Sequence, residues 1–235
     1  MGSIFQFKQF QVDQKDCPMR INTDGVILGA FASAKNPQQI LDIGTGTGVI
    51  ALMLAQRFEE SKVVAVEIDK LAAQTAQENF SGSPFAKRLS LVNSDIFLWN
   101  CTESFDLIVS NPPFYINSLH NPDERKKTAK HTDTTFFEGL MLFVSQRLHR
   151  EGKLQIIVPV ELKEFLVGSG LRHDLHLQEE LTIHSFEDAE AIRLVLTFGK
   201  QGGDHKASER FVIYKERAEH SDAYRELLKP FFLAY

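Results

Sequence analysis

Ile40-Leu41-Asp42-Ile43-Gly44-Thr45-Gly46-Thr47-Gly48-Val49 is the stretch from which the rest of the 235-residue chain can be read. Its first four residues form an apolar run of strand length, and from Gly48 to Phe58 the apolar residues Val49, Leu52, Met53 and Ala55 fall on a helical stripe. Between the two, glycines alternate with threonines, which permits a tight turn and lets a ligand approach the backbone. A strand that enters a helix through such a turn opens a doubly wound α/β sheet, and open sheets of this kind bind ligands at that carboxyl edge.

Toward the C-terminus the pattern repeats. Lys62 to Glu67 is a β-branched strand, Lys70 to Phe80 a segment of high helix propensity, and Leu89 to Val92 and Phe105 to Val109 are further strands. Thr135 to Leu148 reads as an amphipathic helix, and Lys153 to Val158 as a strand closed by Pro159. Leu175 to Phe186 and Ala191 to Phe198 are strands joined by the acidic turn Glu187-Asp188-Ala189-Glu190 with no helix between them, so an antiparallel hairpin is expected. Gln201 to Glu209 reads as a polar loop, followed by Phe211 to Tyr214 and a short helix around Ala223 to Leu228. The expected fold is therefore a Rossmann-like α/β domain over residues 38–235, a doubly wound, mostly parallel seven-stranded sheet with an antiparallel C-terminal hairpin. Residues 1–37, with Phe5 to Phe10 alternating at strand period and a helix from Asp24 to Ala32, form an N-terminal extension expected to cover the active edge of that sheet.

Composition sets the outer limits. With 43% apolar and 24% charged residues the chain is neither disordered nor fibrous, and its apolar runs fall short of the roughly 20 residues of a membrane span. Cys17 and Cys101 lack partners at ligand spacing and the eight histidines are scattered, so no metal site and no disulfide framework is expected. A reducing cytoplasm fits this cysteine usage, and the first residues carry no targeting pattern. A net charge of −5 argues against holding nucleic acid by bulk positive charge; such a partner needs a local basic patch.

Two ligand classes compete for the glycine turn. Gly46-x-Gly48-x-x-Ala51 satisfies the dinucleotide pattern, whereas the whole Asp42-x-Gly44-x-Gly46-x-Gly48 string is the one S-adenosylmethionine enzymes use. Glu67 ends the second strand 19 residues after Gly48, where a carboxylate can accept both hydroxyls of a ribose, which either cofactor has. Asp69 suits the N-cap of the next helix. Asp95, after the third strand, can accept from an adenine amine while Ile96 packs on the ring.

Asn111-Pro112-Pro113-Phe114, straight after the strand Phe105 to Ser110, decides the chemistry. The prolines stiffen the backbone and supply no amide donors, so the Asn111 side-chain oxygen and the Pro112 carbonyl can take both hydrogens of a planar NH2 group while Phe114 stacks on its ring. An aryl amine is a weak nucleophile because its lone pair is delocalised. Acceptors set around a nitrogen that is becoming tetrahedral stabilise the transition state more than the ground state.

Together these motifs resemble those of the class I methyltransferases that act on exocyclic or amide nitrogens. The opening is more particular. Phe7-Lys8-Gln9-Phe10, Cys17-Pro18-Met19-Arg20 and Thr23-Asp24-Gly25-Val26-Ile27-Leu28-Gly29-Ala30-Phe31-Ala32, with Ser221-Asp222-Ala223-Tyr224 and Phe231-Phe232 at the close, resemble the bacterial tRNA(Val) adenine-N6 methyltransferases over almost the whole chain. The resemblance implies methyl transfer from S-adenosylmethionine to N6 of the adenosine 3′ of the anticodon in a valine tRNA. It places Asp42, Gly44 and Gly46 around the cofactor's methionine end, Glu67 on its ribose and Asp95 on its adenine, with Gly48 also in the cofactor site, Thr23 and Asp24 nearby and Asn111 to Phe114 on the target base. Phe114 stands where related enzymes often carry tyrosine, which keeps stacking and loses a hydroxyl. Arg125, Lys126, Lys127 and Lys130, with His131, follow the catalytic motif by about a loop length and are the candidate tRNA phosphate contacts, diluted by Asp123 and Glu124. A monomer without membrane or metal partners is expected. The same acceptor cluster would also serve another amine, such as a guanine N2 in rRNA, a DNA adenine or a protein glutamine, and a noncatalytic nucleotide- or RNA-binding module is the alternative from another class.

Overall fold

A computed structural model describes residues 4–113, 124–202 and 208–235, the side chains of 124–133 excepted. Two short strands, β1 (Ile4–Gln6) and β2 (Gln11–Asp13), precede helix α1 (Thr23–Phe31). Then follow β3 (Gln39–Ile43), α2 (Val49–Arg57), β4 (Lys62–Glu67), α3 (Lys70–Ser81), β5 (Leu89–Asn93), β6 (Phe105–Ser110), α4 (Glu124–Arg147), β7 (Leu148–Val158), α5 (Lys163–Arg172), β8 (His176–His184) and β9 (Ala191–Gly199). The chain closes with β10 (Glu209–Val212), β11 (Tyr214–Glu216), β12 (Glu219–His220) and α6 (Asp222–Leu228).

The main sheet runs β10-β8-β9-β7-β6-β3-β4-β5, and β9 is antiparallel to both its neighbours while every other pairing is parallel. The seven expected strands are present, with the hairpin β8–β9, and the four-residue β10 adds an eighth along β8. From β3 the chain moves one way to β4 and β5, and from β6 the other way to β7, so the order reverses between β3 and β6. That reversal opens a crevice at the carboxyl ends of the central strands.

Two apolar layers hold the sheet. One face carries α1 and α2 with α6, around Ile27, Leu28, Leu52, Met53, Leu107 and Phe231; the other carries α4 and α5, around Leu41, Phe105, Ile108, Leu140 and Phe198. These aliphatic and aromatic side chains are essentially excluded from solvent, and burial of each contributes roughly 1.5–3 kcal/mol. Helix α1 is buried along six of its nine residues, which accounts for an apolar sequence without a polar face. It is held at its start by the Asn22 side chain accepting from the Gly25 amide (2.8 Å), and past its end by Gln155, whose oxygen accepts from the Ser33 amide (2.6 Å). Asp69 caps α3 by accepting from the Ala72 amide, as its position suggested.

Candidate functional site

The edge is built by backbone pairing. Ile43 pairs with Ser110 on one side and with Val66 on the other, so Gly44 and Asn111 leave neighbouring strands at the same level and Glu67 follows on the next. Ser110 strengthens the junction, its buried hydroxyl donating to the Ile43 carbonyl at 2.9 Å. Gly44, Gly46 and Gly48 have φ of 73°, 55° and 83°, in the left-handed region that favours glycine. At Gly44 and Gly46 a Cβ would meet nothing within 4 Å, whereas at Gly48 it would come within 2.5 Å of the Phe80 ring. The first two therefore face open space and the third is seated against α3.

The carboxylates around this turn differ in their partners. Asp42 is fully buried; its Oδ2 accepts from the Thr45 hydroxyl at 2.6 Å while Oδ1 has no close partner. Burial pushes its carboxyl up to about 7, against the Thr45 hydrogen bond that lowers it. Glu67 accepts from the Gly46 amide through Oε2 (2.8 Å) and from the Asp69 amide through Oε1 (2.9 Å), so the residue expected at the ribose also braces the turn. Asp95 is half-buried and accepts from the Phe97 amide at 2.9 Å, with Ile96 buried beside it.

Beyond Asn111 opens a cavity of about 530 Å3. Asn111 and Pro112 line it together with Met19, Asn22 and Asp24 from the N-terminal segment, Pro159, Val160 and Glu161 after β7, and Ala191, Ile192 and Arg193 at the start of β9. Pro112 is buried and Pro113 exposed. Gly25 packs beside Asn111: a Cβ there would stand 3.5 Å from Asn111 Nδ2 and 3.4 Å from Asn22 Oδ1, ordinary contact distances. The Arg193 guanidinium donates to Asp24 Oδ2 at 2.8 Å, joining β9 to the first turn of α1.

The structure brings Asp42, Gly44, Gly46, Gly48, Glu67, Asn111 and Pro112 to one edge, with Asp24 on the cavity and Thr23 beside it. Phe114 lies outside the described residues. So do the side chains of Arg125, Lys126, Lys127, Lys130 and His131, whose backbone belongs to α4. The far wall, Val160, Glu161, Ile192 and Arg193, was missed; the single available signal was Pro159 closing a strand at the level of the motif. Among the described residues no cluster of three or more potential metal ligands occurs, and no helix is long and apolar enough to cross a membrane.

The methyltransferase small domain family matches residues 24–167. A tRNA1(Val) (adenine(37)-N6)-methyltransferase of Pedobacter heparinus is 46% identical over 100% of both chains, and one of Bacteroides thetaiotaomicron is 36% identical over 98% of this chain and 97% of its own. The fold is similar to that of a predicted O-methyltransferase of Agrobacterium tumefaciens (TM-score 0.70, 17% identity, 88% of this chain and 96% of that one). It is also similar to TrmN of Thermus thermophilus (TM-score 0.57, 19% identity, 76% and 48%).

Proposed function

Because the chain belongs to the tRNA1(Val) (adenine(37)-N6)-methyltransferase family, we propose that it transfers the methyl group of S-adenosylmethionine to N6 of the adenosine 3′ of the anticodon in a valine tRNA. The observation that carries this reading is the level placement of the glycine turn and Asn111 on paired strands, with an open turn on one side and an Asn-Pro-lined cavity on the other.

The residues present fit the cofactor. Open space at Gly44 and Gly46 accommodates its methionine end, and the partnerless Oδ1 of Asp42 suits a cationic ammonium group. Glu67 spends one lone pair of each oxygen on backbone amides and keeps others for ribose hydroxyls. Asp95 and Ile96 stand at the adenine end. When bound, the cofactor supplies a methyl group activated by a sulfonium.

On the acceptor side the cavity is of nucleoside size, within the range of ordinary ligand sites. An adenine extruded from the anticodon loop would place its amine between Asn111 Oδ1 and the Pro112 carbonyl, with Phe114 against the ring face. The two acceptors orient the nitrogen lone pair and stabilise the positive charge that develops as the N–C bond forms. The amine loses its proton after transfer, so no strong base is needed beforehand. Catalysis is chiefly positioning and electrostatics. The part of the N-terminal extension that covers this edge is the stretch from Met19 to Asp24, and the basic start of α4 supplies phosphate contacts.

The test is Asn111→Ala with tRNA from cells lacking the enzyme. Removing one preorganised hydrogen-bonding group should lower turnover by about 10²–10³-fold, with S-adenosylmethionine affinity changed less than about threefold. Unchanged turnover would refute the mechanism, and methyl incorporation into rRNA, DNA or protein in place of tRNA would refute the substrate.

A further inference from the structure

Asn79, on the last turn of α3, is buried, and its amide is committed to two segments far apart in sequence. Its oxygen accepts from the Asp13 amide at 2.8 Å, and its nitrogen donates to the Asp13 carbonyl and to the Thr47 carbonyl, each at 2.9 Å. With Asp13 it imitates one rung of a strand ladder; with Thr47 it grips the middle of the glycine turn. The next residue, Phe80, is the one against which Gly48 is seated. Consecutive residues of α3 therefore hold consecutive residues of the turn.

One helical turn earlier Thr75 donates its hydroxyl to the Lys15 carbonyl at 2.8 Å, a second stitch on the same N-terminal segment. From there the segment passes Cys17 and continues to Met19, Asn22 and Asp24 on the cavity wall. A single length of chain thus runs from the residue that grips the glycine turn to the acceptor cavity.

We propose that Asn79 is a positioning residue for the cofactor turn, and that through it residues 13–24 are part of the same site as the glycines. This rests on the reading that the turn holds S-adenosylmethionine. Asn79 touches neither substrate; it fixes the direction of the Thr47 carbonyl, hence the shape of the turn, and anchors the segment that continues to the cavity. Its removal acts on cofactor binding more than on the transfer step, because the Thr47 carbonyl loses its side-chain donor while the segment toward the cavity keeps its second hydrogen bond, from Thr75 to Lys15, and Asn111 and Pro112 belong to a different loop.

The experiment is calorimetric titration of the full chain with S-adenosylmethionine, paired with turnover at saturating cofactor, for the parent, Asn79→Ala, Asn79→Asp and Thr75→Val. Asparagine-to-alanine should raise the cofactor Kd by about tenfold, the scale of one buried hydrogen bond removed, with turnover at saturation changed less than about threefold. Asn79→Asp, nearly isosteric and able to accept from Asp13 but not to donate to either carbonyl, should weaken binding as much, and it carries the test if the alanine variant does not fold. Thr75→Val, which releases one stitch without touching the turn, should shift the Kd by less than about threefold. A folded Asn79 variant with parental affinity would overturn the proposal. So would a weakening by Thr75→Val equal to that by Asn79→Ala, or a fall in saturated turnover as large as the fall in affinity. A parent chain that binds no S-adenosylmethionine would remove the functional reading itself, and this proposal with it, which separates the two failures.

Discussion

At Gly48 a side chain meets two obstacles at once, a left-handed backbone with φ of 83° and the Phe80 ring 2.5 Å from where a Cβ would stand. Gly48→Ala should therefore cost about 2–3 kcal/mol of stability by chemical denaturation, the left-handed penalty plus the displacement of a core ring. Gly44→Ala meets only the backbone penalty, about 1–2 kcal/mol, but fills the open space before the turn and should lose cofactor affinity out of proportion to stability. The two glycines are indistinguishable in sequence and separable in the test tube. Asp42 gives the residue scale a pH signature. Its ordinary value is 3.8 and burial raises it to about 7, so between those limits the folded chain keeps a proton that the unfolded chain releases. Stability then falls as pH rises through that window, and Asp42→Asn should abolish that slope. Binding of a cationic group favours the ionised carboxylate, so cofactor affinity should climb as pH passes about 7. Titration at about pH 6 should release protons, measurable as an enthalpy that depends on the ionisation heat of the buffer.

Among the elements, β7 and α1 meet through one polar residue in an apolar layer. Gln155 is fully buried, accepts from the Ser33 amide at 2.6 Å and donates to the Thr197 hydroxyl at 3.0 Å, tying the exit of α1 to the sheet. Gln155→Leu fills the volume but leaves the buried Thr197 hydroxyl without its donor and the Ser33 amide without its acceptor, so unfolding free energy should drop by about 1–3 kcal/mol, with turnover per folded molecule unchanged. The elements differ in how plainly their sequences announce them. β3 with its glycine turn, β6 with its Asn-Pro-Pro, and α1 were readable because each carries a local signal: a period, a cap or a backbone breaker. α5 was not, since Gly168 and Gly170 interrupt it and its stripe is short. The helix expected from Thr135 begins at Glu124, because the charges of Arg125 to Lys130 hide any apolar face from a periodicity reading. Arg193 and Glu161 reach the cavity only through the pairing of β7 with β9, and Asn79 meets the glycine turn and the N-terminal segment through hydrogen bonds to residues 32 and 66 positions away. Nothing local in a sequence records such partners.

For the whole molecule, a net charge of −5 means that tRNA must be met by a minority of basic side chains against a repelling background. The Michaelis constant for tRNA should rise steeply with salt while cofactor affinity stays flat. Replacing Arg125, Lys126, Lys127 or Lys130 by alanine should reduce the slope of log affinity against log salt by roughly 0.7–0.9 for each phosphate that side chain neutralises. A slope unmoved by all four would place the tRNA-binding surface elsewhere. The division of labour between sheet and loops has a further consequence. Gly44 and Asn111 leave adjacent strands in register, so the gap between the glycine turn and the Asn-Pro motif is measured by a ladder of main-chain hydrogen bonds about 4.8 Å wide. That ruler cannot be lengthened by exchanging side chains. The walls contributed by Met19, Val160, Glu161 and Ile192 stand on other elements and can be rebuilt without moving it. A designer seeking a new acceptor for this scaffold would redecorate the room and leave the yardstick alone.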